Sequence, residues 1–404
     1  NFIEWLIYFK FELIMKKTNL FFTLVLFNIS FACSQIENYP PIEDFDENLF
    51  SIEKVIDGIE IPWGLSFTSN NSFLVTDKKG IMYHVSEGKK DIVDGIPEII
   101  LSRQGGLLDV AVDSNFVLNN KIYFTASVTS SGSGSNTALY SASFLNNKLS
   151  NLKLLYKASP DSKEERHYGG SLLVTNEYIF FTIGDRGNRD INPQNISLDG
   201  GKIYRLNKDG SIPDSNPFYN TIDAKKAIWS YGHRNPQGII RGLNEEEIWV
   251  HEHGPRGGDE INIIKNPIKG EDGLKDRNYG WPKATYGINY SGSEITKFQK
   301  MNDVIDPFYY WTPSIAPSGM AYVDSDIYPE WKNSILVGSL KFLYLERLEF
   351  DKNGVTKREK IFPGIGRVRD VNIGPDGYAY ISVEAIGIFK ILPNQNCNKF
   401  ITCE

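Results

Sequence analysis

Cysteine and histidine are scarce in this chain, which has three of the first and five of the second in 404 residues. Cys33 stands near the N-terminus and Cys397 and Cys403 at the extreme C-terminus, too peripheral to supply a catalytic thiol. In an oxidising compartment the last two are expected to close a small disulfide loop. Positive charge is not concentrated anywhere either. The formal net charge is -7, and with no basic stripe to neutralise phosphates a nucleic-acid partner is excluded. Any anionic ligand has to be met by local cations. No apolar run reaches the roughly 20 residues that cross a bilayer, which argues against a transmembrane span. Sustained 3.6-residue periodicity is missing after the first 32 residues, which excludes a helix bundle. There is also no long Pro- or Ser-rich hinge to divide the chain, so its length is read as one large domain.

The N-terminal residues are set apart from that domain. Met15-Lys16-Lys17, the apolar run Leu20 to Phe27 and the small residues around Ala32 have the order of an export signal over 15–32. Residues 1–14 then read as upstream sequence, and 33–47 as a linker. Two fates remain open after cleavage. Cys33 can carry a lipid anchor, although Ser30 stands where a large aliphatic residue is usual, or the ordinary peptidase can cut after Ala32 and leave a free protein. Both outcomes place the protein in the periplasm or elsewhere outside the cytoplasm.

What the chain does have is 35 glycines, 19 prolines and 13% aromatic residues, a balance suited to short strands joined by tight turns. Six loosely similar units follow one another, each with a Gly-containing start, an apolar strand, a turn and a second strand. They begin near Trp63, Gly105, Gly169, Gln237, Ser318 and Arg369. Their irregular spacing requires insertions of different length, and the polar segment Asn266 to Asn278 reads as one of these. Six such units predict an all-β, six-bladed β-propeller with four-stranded blades over 48–394, followed by a tail over 395–404. Phe50–Val55 and Gly387–Leu392 are expected to share a blade and close the ring. Loops from all blades then converge at one channel mouth, where chemistry is expected.

Four of the five histidines sit at Gly-rich strand ends. His167 precedes Tyr168-Gly169-Gly170, and Asp185 ends the next strand, so a hairpin brings both to the same end of one blade. A carboxylate there orients an imidazole and stabilises its protonated form, as a general base requires. His251 and His253, at i and i+2, leave a zinc site with His233 conceivable. The turn Gly254-Pro255-Arg256-Gly257-Gly258-Asp259-Glu260 is instead rich in carbonyls and carboxylates, the hard oxygen donors that suit calcium. Cations stand at the ends of different blades in Arg234-Asn235-Pro236-Gln237, Gly338-Ser339-Leu340-Lys341 and Gly366-Arg367-Val368-Arg369. That placement makes a shared anionic pocket worth considering.

In order along the chain, these strings resemble the motifs of the glucose/sorbosone dehydrogenase family. The motifs are Pro62-Trp63-Gly64-Leu65, Arg103-Gln104-Gly105-Gly106, His167-Tyr168-Gly169-Gly170, Gly184-Asp185-Arg186-Gly187, Gly232-His233-Arg234-Asn235, Glu252-His253-Gly254-Pro255, Asn278-Tyr279-Gly280-Trp281-Pro282, Pro317-Ser318-Gly319 and Arg367-Val368-Arg369-Asp370. The branch resembled is the aldose sugar dehydrogenases that use pyrroloquinoline quinone (PQQ) and calcium. The resemblance implies that His167, with Asp185, removes the proton of the anomeric hydroxyl while hydride passes to the quinone. It implies that Gln104, Arg234, Asn235, Tyr290, Ser339, Leu340, Lys341, Arg367, Val368 and Arg369 hold PQQ, whose three carboxylates account for the demand for cations. It also implies that the carbonyls of Gly254 and Pro255 bind one calcium, and that Glu260 and the backbone of Tyr279 bind a second, structural one. The insertion from Lys265 to Arg277 separates those last two ligands. The partners implied are an aldose and an external electron acceptor, with the protein a monomer or homodimer. Two other readings stay open: a calcium-dependent propeller lactonase, and a propeller that binds carbohydrate or protein without turnover. The cations weigh against the first, and the His167 and Asp185 pair against the second.

Overall fold

A computed structural model describes residues 39–394, except 131, 245–246 and 267–275. The export signal, Cys33, both C-terminal cysteines and most of the 266–278 insertion lie outside the described residues. Among those described, no helix is long and apolar enough to cross a membrane.

The strands form six antiparallel blades arranged in a ring. Blade 1 is Pro62–Ser69, Ser72–Asp77, Ile81–Ser86 and Lys89–Ile92; blade 2 is Leu107–Val112, Lys121–Val128, Asn136–Leu145 and Lys148–Lys157. Blade 3 is Leu172–Val174, Tyr178–Ile183, Lys202–Asn207 and Ile228–Tyr231; blade 4 is Pro236–Arg241, Glu247–Glu252, Asp259–Lys265 and Tyr309–Trp311. Blade 5 is Pro317–Val323, Ser334–Ser339, Tyr344–Asp351 and Gly354–Ile361. Blade 6 combines Val368–Ile373, Ala379–Val383 and Gly387–Pro393 with the early strand Phe50–Ile56, so the two ends of the propeller share one sheet as expected. The first strand of every blade packs against the first strand of the next, right round the ring, and these six line the channel. All six predicted unit starts fall at or just before these inner strands.

One detail differs from the sequence reading. Ile42–Asp44, within the stretch read as linker, pairs in parallel with Gly354–Ile361 and gives blade 5 a fifth strand. It covers backbone groups that would otherwise form an open sheet edge. The 266–308 segment joins the third and fourth strands of blade 4, so the insertion belongs to one blade, and its described part carries Tyr279, Trp281 and Tyr290.

The apolar core lies between blades. Tyr123 and Leu139 of blade 2 pack with Phe181, Ile183 and Tyr204 of blade 3, and Phe50 of blade 6 stacks on Trp331 of blade 5 with ring centroids 4.3 Å apart. Burial alone is non-directional, and what fixes each blade against the next is a set of polar side chains that cross the gaps. Thr76 donates to the Leu108 carbonyl, Thr125 to Gly170 at 2.5 Å, Thr182 to Pro236 at 3.1 Å and Ser382 to Pro62 at 3.0 Å. His253 Nε2 donates to Pro317 at 2.7 Å and Ser318 to Arg369 at 2.8 Å, so all six junctions carry such a bond. Each acceptor lies at or next to the start of an inner strand.

Thr125 also accepts from the Asp109 amide at 3.1 Å, so Thr125→Val would strand the buried Gly170 carbonyl and the partly buried Asp109 amide without changing the side chain's shape. The expected loss is about 2 kcal/mol, read from the denaturant midpoint. A midpoint equal to wild type would remove these bonds from the account of ring stability.

Candidate active site

In each blade the inner strand starts at one end of the channel and the second strand returns to that same end, because the two are antiparallel. Residues just before a first strand or just after a second one therefore share a mouth. His167 and Asp185 occupy these two positions in blade 3. Their side chains meet with Nδ1 2.7 Å from Oδ1, His167 13% exposed and Asp185 1%. Since a carboxylate accepts, Nδ1 carries the hydrogen and the Nε2 lone pair is left for a substrate. Asp185 Oδ1 also accepts from the Gly187 amide at 2.8 Å, and Oδ2 from the Trp281 indole at 3.0 Å.

His167 holds a left-handed backbone, with φ of 56°, which a side chain bearing Cβ adopts only under constraint. Several contacts supply it. The His167 amide donates to Gln104 Oε1 at 2.6 Å, Thr137 donates to the Tyr168 carbonyl at 2.6 Å, and Arg186 lies on the Tyr168 ring while donating to Glu164 O at 2.6 Å. The glycines beside it leave room for this crossing. A Cβ on Gly184 would stand 2.3 Å from the His167 carbonyl oxygen, and one on Gly169 2.8 Å from the Gly184 amide.

Burial lowers the His167 pKa, and the Asp185 hydrogen bond offsets only part of that effect. Burial opposes charge on Asp185 too, but His167, Arg234 and the Gly187 amide outweigh it and hold the carboxyl below its usual range. The pair is therefore poised as neutral imidazole beside an ionised carboxylate, the resting state of a general base.

The mouth opens into a cavity of about 860 Å³ lined by six cations, Lys78, Arg103, Arg256, Lys341, Arg367 and Arg369, with no aspartate or glutamate in the lining. Gln104, Asn235, Pro255, Tyr290 and Leu340 of the sequence-derived set also line it. Tyr290 is 75% exposed at the rim. Arg367 and Arg369 meet on Glu384, through Arg367 Nε at 2.5 Å and a close contact from Arg369, and Arg367 donates to the Leu340 carbonyl at 2.9 Å. Burial and the neighbouring Arg369 lower the Lys78 pKa. Ser339 and Val368 are buried and do not reach the cavity; the Ser339 hydroxyl shapes its turn by donating to Ile315 O at 3.0 Å.

Arg234 does not line the cavity. Its guanidinium donates to the carbonyls of His253 at 2.9 Å and Gly254 at 2.7 Å, so one of the two carbonyls expected to face calcium already has a cation on one lone pair. The Gly254 turn is held by Asp259, which accepts from the Gly254 amide at 2.8 Å and from Ser314, and whose pKa burial raises to about 6.

The remaining candidates form a separate buried cluster. Glu252 and Glu260 stand opposite each other on adjacent strands, both linked to Asn262 Nδ2, while Asn262 Oδ1 has no partner. Burial and the nearby Glu252 push the Glu260 pKa well above its usual value. His233 spends its ring nitrogens on Glu252 at 2.8 Å and Ser230 at 2.9 Å and stacks on Tyr279. His253 is the bond between blades 4 and 5, and burial holds His253 and His251 neutral with pKa values of about 3. The three histidines of the conceivable zinc site thus have other surroundings, and among the described residues no group of His, Cys, Asp and Glu side chains is arranged to hold a metal.

Three residues of the candidate site were given no role in the sequence reading: Lys78 and Glu384, which it did not pick out, and Trp281, which it quoted only within a motif. The first two follow second strands, in blades 1 and 6, so the strand-end rule that picked out Asp185 would have found them. Trp281 lies in the insertion of blade 4, where no periodicity signals its position.

Fold and site together define a propeller with an imidazole–carboxylate pair at a cationic channel mouth. The chain belongs to the glucose/sorbosone dehydrogenase family, whose model matches residues 59–388. It is 36% identical to the aldose sugar dehydrogenase YliI of Escherichia coli over 340 residues, 82% of this chain and 89% of that protein. The crystal structure of the soluble aldose sugar dehydrogenase of Escherichia coli in its apo-form is similar with a TM-score of 0.79 at 33% identity, over 85% of this chain and 100% of that one. The PQQ-bound form of an aldose sugar dehydrogenase from Streptomyces coelicolor shares the fold, with a TM-score of 0.68 at 22% identity over 88% of this chain and 100% of that one.

Removing the indole N–H with Trp281→Phe leaves more of the Asp185 charge to the imidazolium, so the His167 midpoint should rise. Asp185→Asn removes that charge, and the midpoint should fall by about one unit or more. A two-dimensional NMR titration of the histidine rings in cofactor-free protein, with His167→Gln for assignment, reads both. Midpoints that stay put in both variants would contradict the orienting role given to this pair.

Proposed function

We propose that this member of the family oxidises the anomeric carbon of an aldose to a lactone with PQQ as hydride acceptor, and passes the electrons to an external acceptor. The observation that carries the reading is a neutral His167 on a buried, ionised Asp185, directly before Tyr168 and Gly169, which line a mouth with six cations. A propeller lactonase has no need of those cations, and a pure binding protein has no need of a general base.

The donor set fits a cofactor with three carboxylates. Lys341, Arg367 and Arg369 offer charge-assisted hydrogen bonds, and Gln104 and Asn235 have their side-chain oxygens occupied by the amides of His167 and Gly169, which leaves their NH₂ groups as donors. When bound, PQQ supplies the two-electron acceptor that no side chain here provides. The residues of the chain do the rest. His167 Nε2 takes the proton of the anomeric hydroxyl, Asp185 stabilises the imidazolium that forms, and Arg234 and Trp281 keep the carboxylate ionised and oriented.

Calcium is proposed at two places. Near the cofactor, the carbonyls of Gly254 and Pro255 are hard donors for an ion that acts as a Lewis acid. Away from it, Glu260 and the Tyr279 carbonyl would hold a structural ion. The unpartnered Asn262 Oδ1 and the raised pKa of Glu260 are what an unscreened pair of buried carboxylates produces, and a cation would relieve both. We also propose export to the periplasm on the strength of residues 15–32.

The test is reconstitution of the purified protein with PQQ and calcium, followed by dye reduction with a panel of aldoses. His167→Gln should keep PQQ affinity and lose about 10²- to 10⁴-fold in the rate of reduction by sugar, while Lys341→Ala and Arg367→Ala should weaken PQQ binding about ten-fold or more. Wild-type activity should fall as pH drops and His167 becomes protonated. Because burial lowers its pKa, that fall should come at lower pH than for a free imidazole. A wild-type rate in His167→Gln would make His167 a structural residue and overturn the mechanism.

A further inference from the structure

The cations at the mouth exceed what the proposed cofactor can use. Six line the cavity, Glu384 balances one of them from behind, and three carboxylates would balance about three more. Arg103 and Arg256 are left over. Both are exposed, and neither has an ion-pair partner among the described residues. Arg103 comes from the loop before the inner strand of blade 2 and Arg256 from the turn after the second strand of blade 4, so they approach the mouth from different sides. Of the acids near the rim, Glu60 pairs with Lys79 at 3.0 Å and Glu164 with Arg166 at 3.2 Å, whereas the exposed Glu165 and Glu294 have no ion pair among the described residues.

We infer that Arg103 and Arg256 form a docking rim for an electron acceptor that presents negative charge to the mouth, an inference that rests on the dehydrogenase reading above. The chain carries a net charge of -7, so a positive mouth on an acidic body draws an anion towards the opening where electrons are available. Tyr290, three-quarters exposed, and Leu343 add apolar surface to the same rim. The electron balance is simple. Oxidation of one aldose leaves two electrons and two protons in the site; two one-electron acceptors take one electron each, and the protons go to solvent.

The experiment follows reoxidation of PQQ- and calcium-loaded protein by hexacyanoferrate(III), an anion, or hexaammineruthenium(III), a cation. Ionic strength is raised from about 0.01 M to about 0.1 M, which shortens the screening length from about 30 Å to about 10 Å. One sample is first reduced with sugar and a parallel one with dithionite. The rate constant for the anion should fall about ten-fold with added salt and that for the cation should rise. Arg103→Gln combined with Arg256→Gln should flatten the response of the anion. If both acceptors respond alike, or the double variant keeps the wild-type salt slope, the docking rim is wrong. If sugar fails to reduce the loaded protein while the dithionite sample shows the salt signature, the dehydrogenase reading fails and the cationic rim stands.

Discussion

Side-chain bonds that cross from each blade to the start of the next are the constraint on which the site depends. A propeller has no single core; it has six apolar seams, and apolar seams can slide. The hydroxyls of Thr76, Thr125, Thr182, Ser318 and Ser382 and the imidazole of His253 each grip a carbonyl at or near the first residue of an inner strand. Those first residues adjoin the functional ones. Gly170 lies three positions from His167, Pro236 follows Asn235, and the Arg369 carbonyl is itself an acceptor. Ring register and site geometry are therefore set by the same bonds.

The electrostatics follow from that geometry. Burial by itself would neutralise Asp185, and His167, Arg234 and the Gly187 amide reverse the outcome. The same burial depresses His167, which keeps the base free of its proton, whereas His253 and His251 are depressed much further and serve only as neutral packing or bonding groups. Three histidines in similar sequence settings thus have different uses, decided by what each ring nitrogen meets.

Much of this was legible in the sequence. Period-two strands between Gly, Asn and Asp turns indicate six units, and the antiparallel relation of first and second strands is enough to bring His167 and Asp185 together. The same rule reaches Lys78 and Glu384. Other features depend on side-chain direction across the ring and leave no mark in one dimension. The sequence has no signal for the Trp281 indole reaching Asp185 from the blade 4 insertion, for Arg234 turning onto the Gly254 carbonyl, or for Ser339 folding back into its own turn. Glu252 was one letter in a His-Glu-His string, and only strand register shows that it faces Glu260.

The claim that joins fold to chemistry is that the anomeric C–H bond breaks beside His167. It is tested most directly by mixing the PQQ- and calcium-loaded protein anaerobically with an aldose that carries deuterium at C1, and following reduction of the cofactor. The account predicts that reduction occurs, is slowed several-fold by the isotope, and yields a lactone that has lost the label. Reduction at the same rate with both sugars, or no reduction at all, would contradict it.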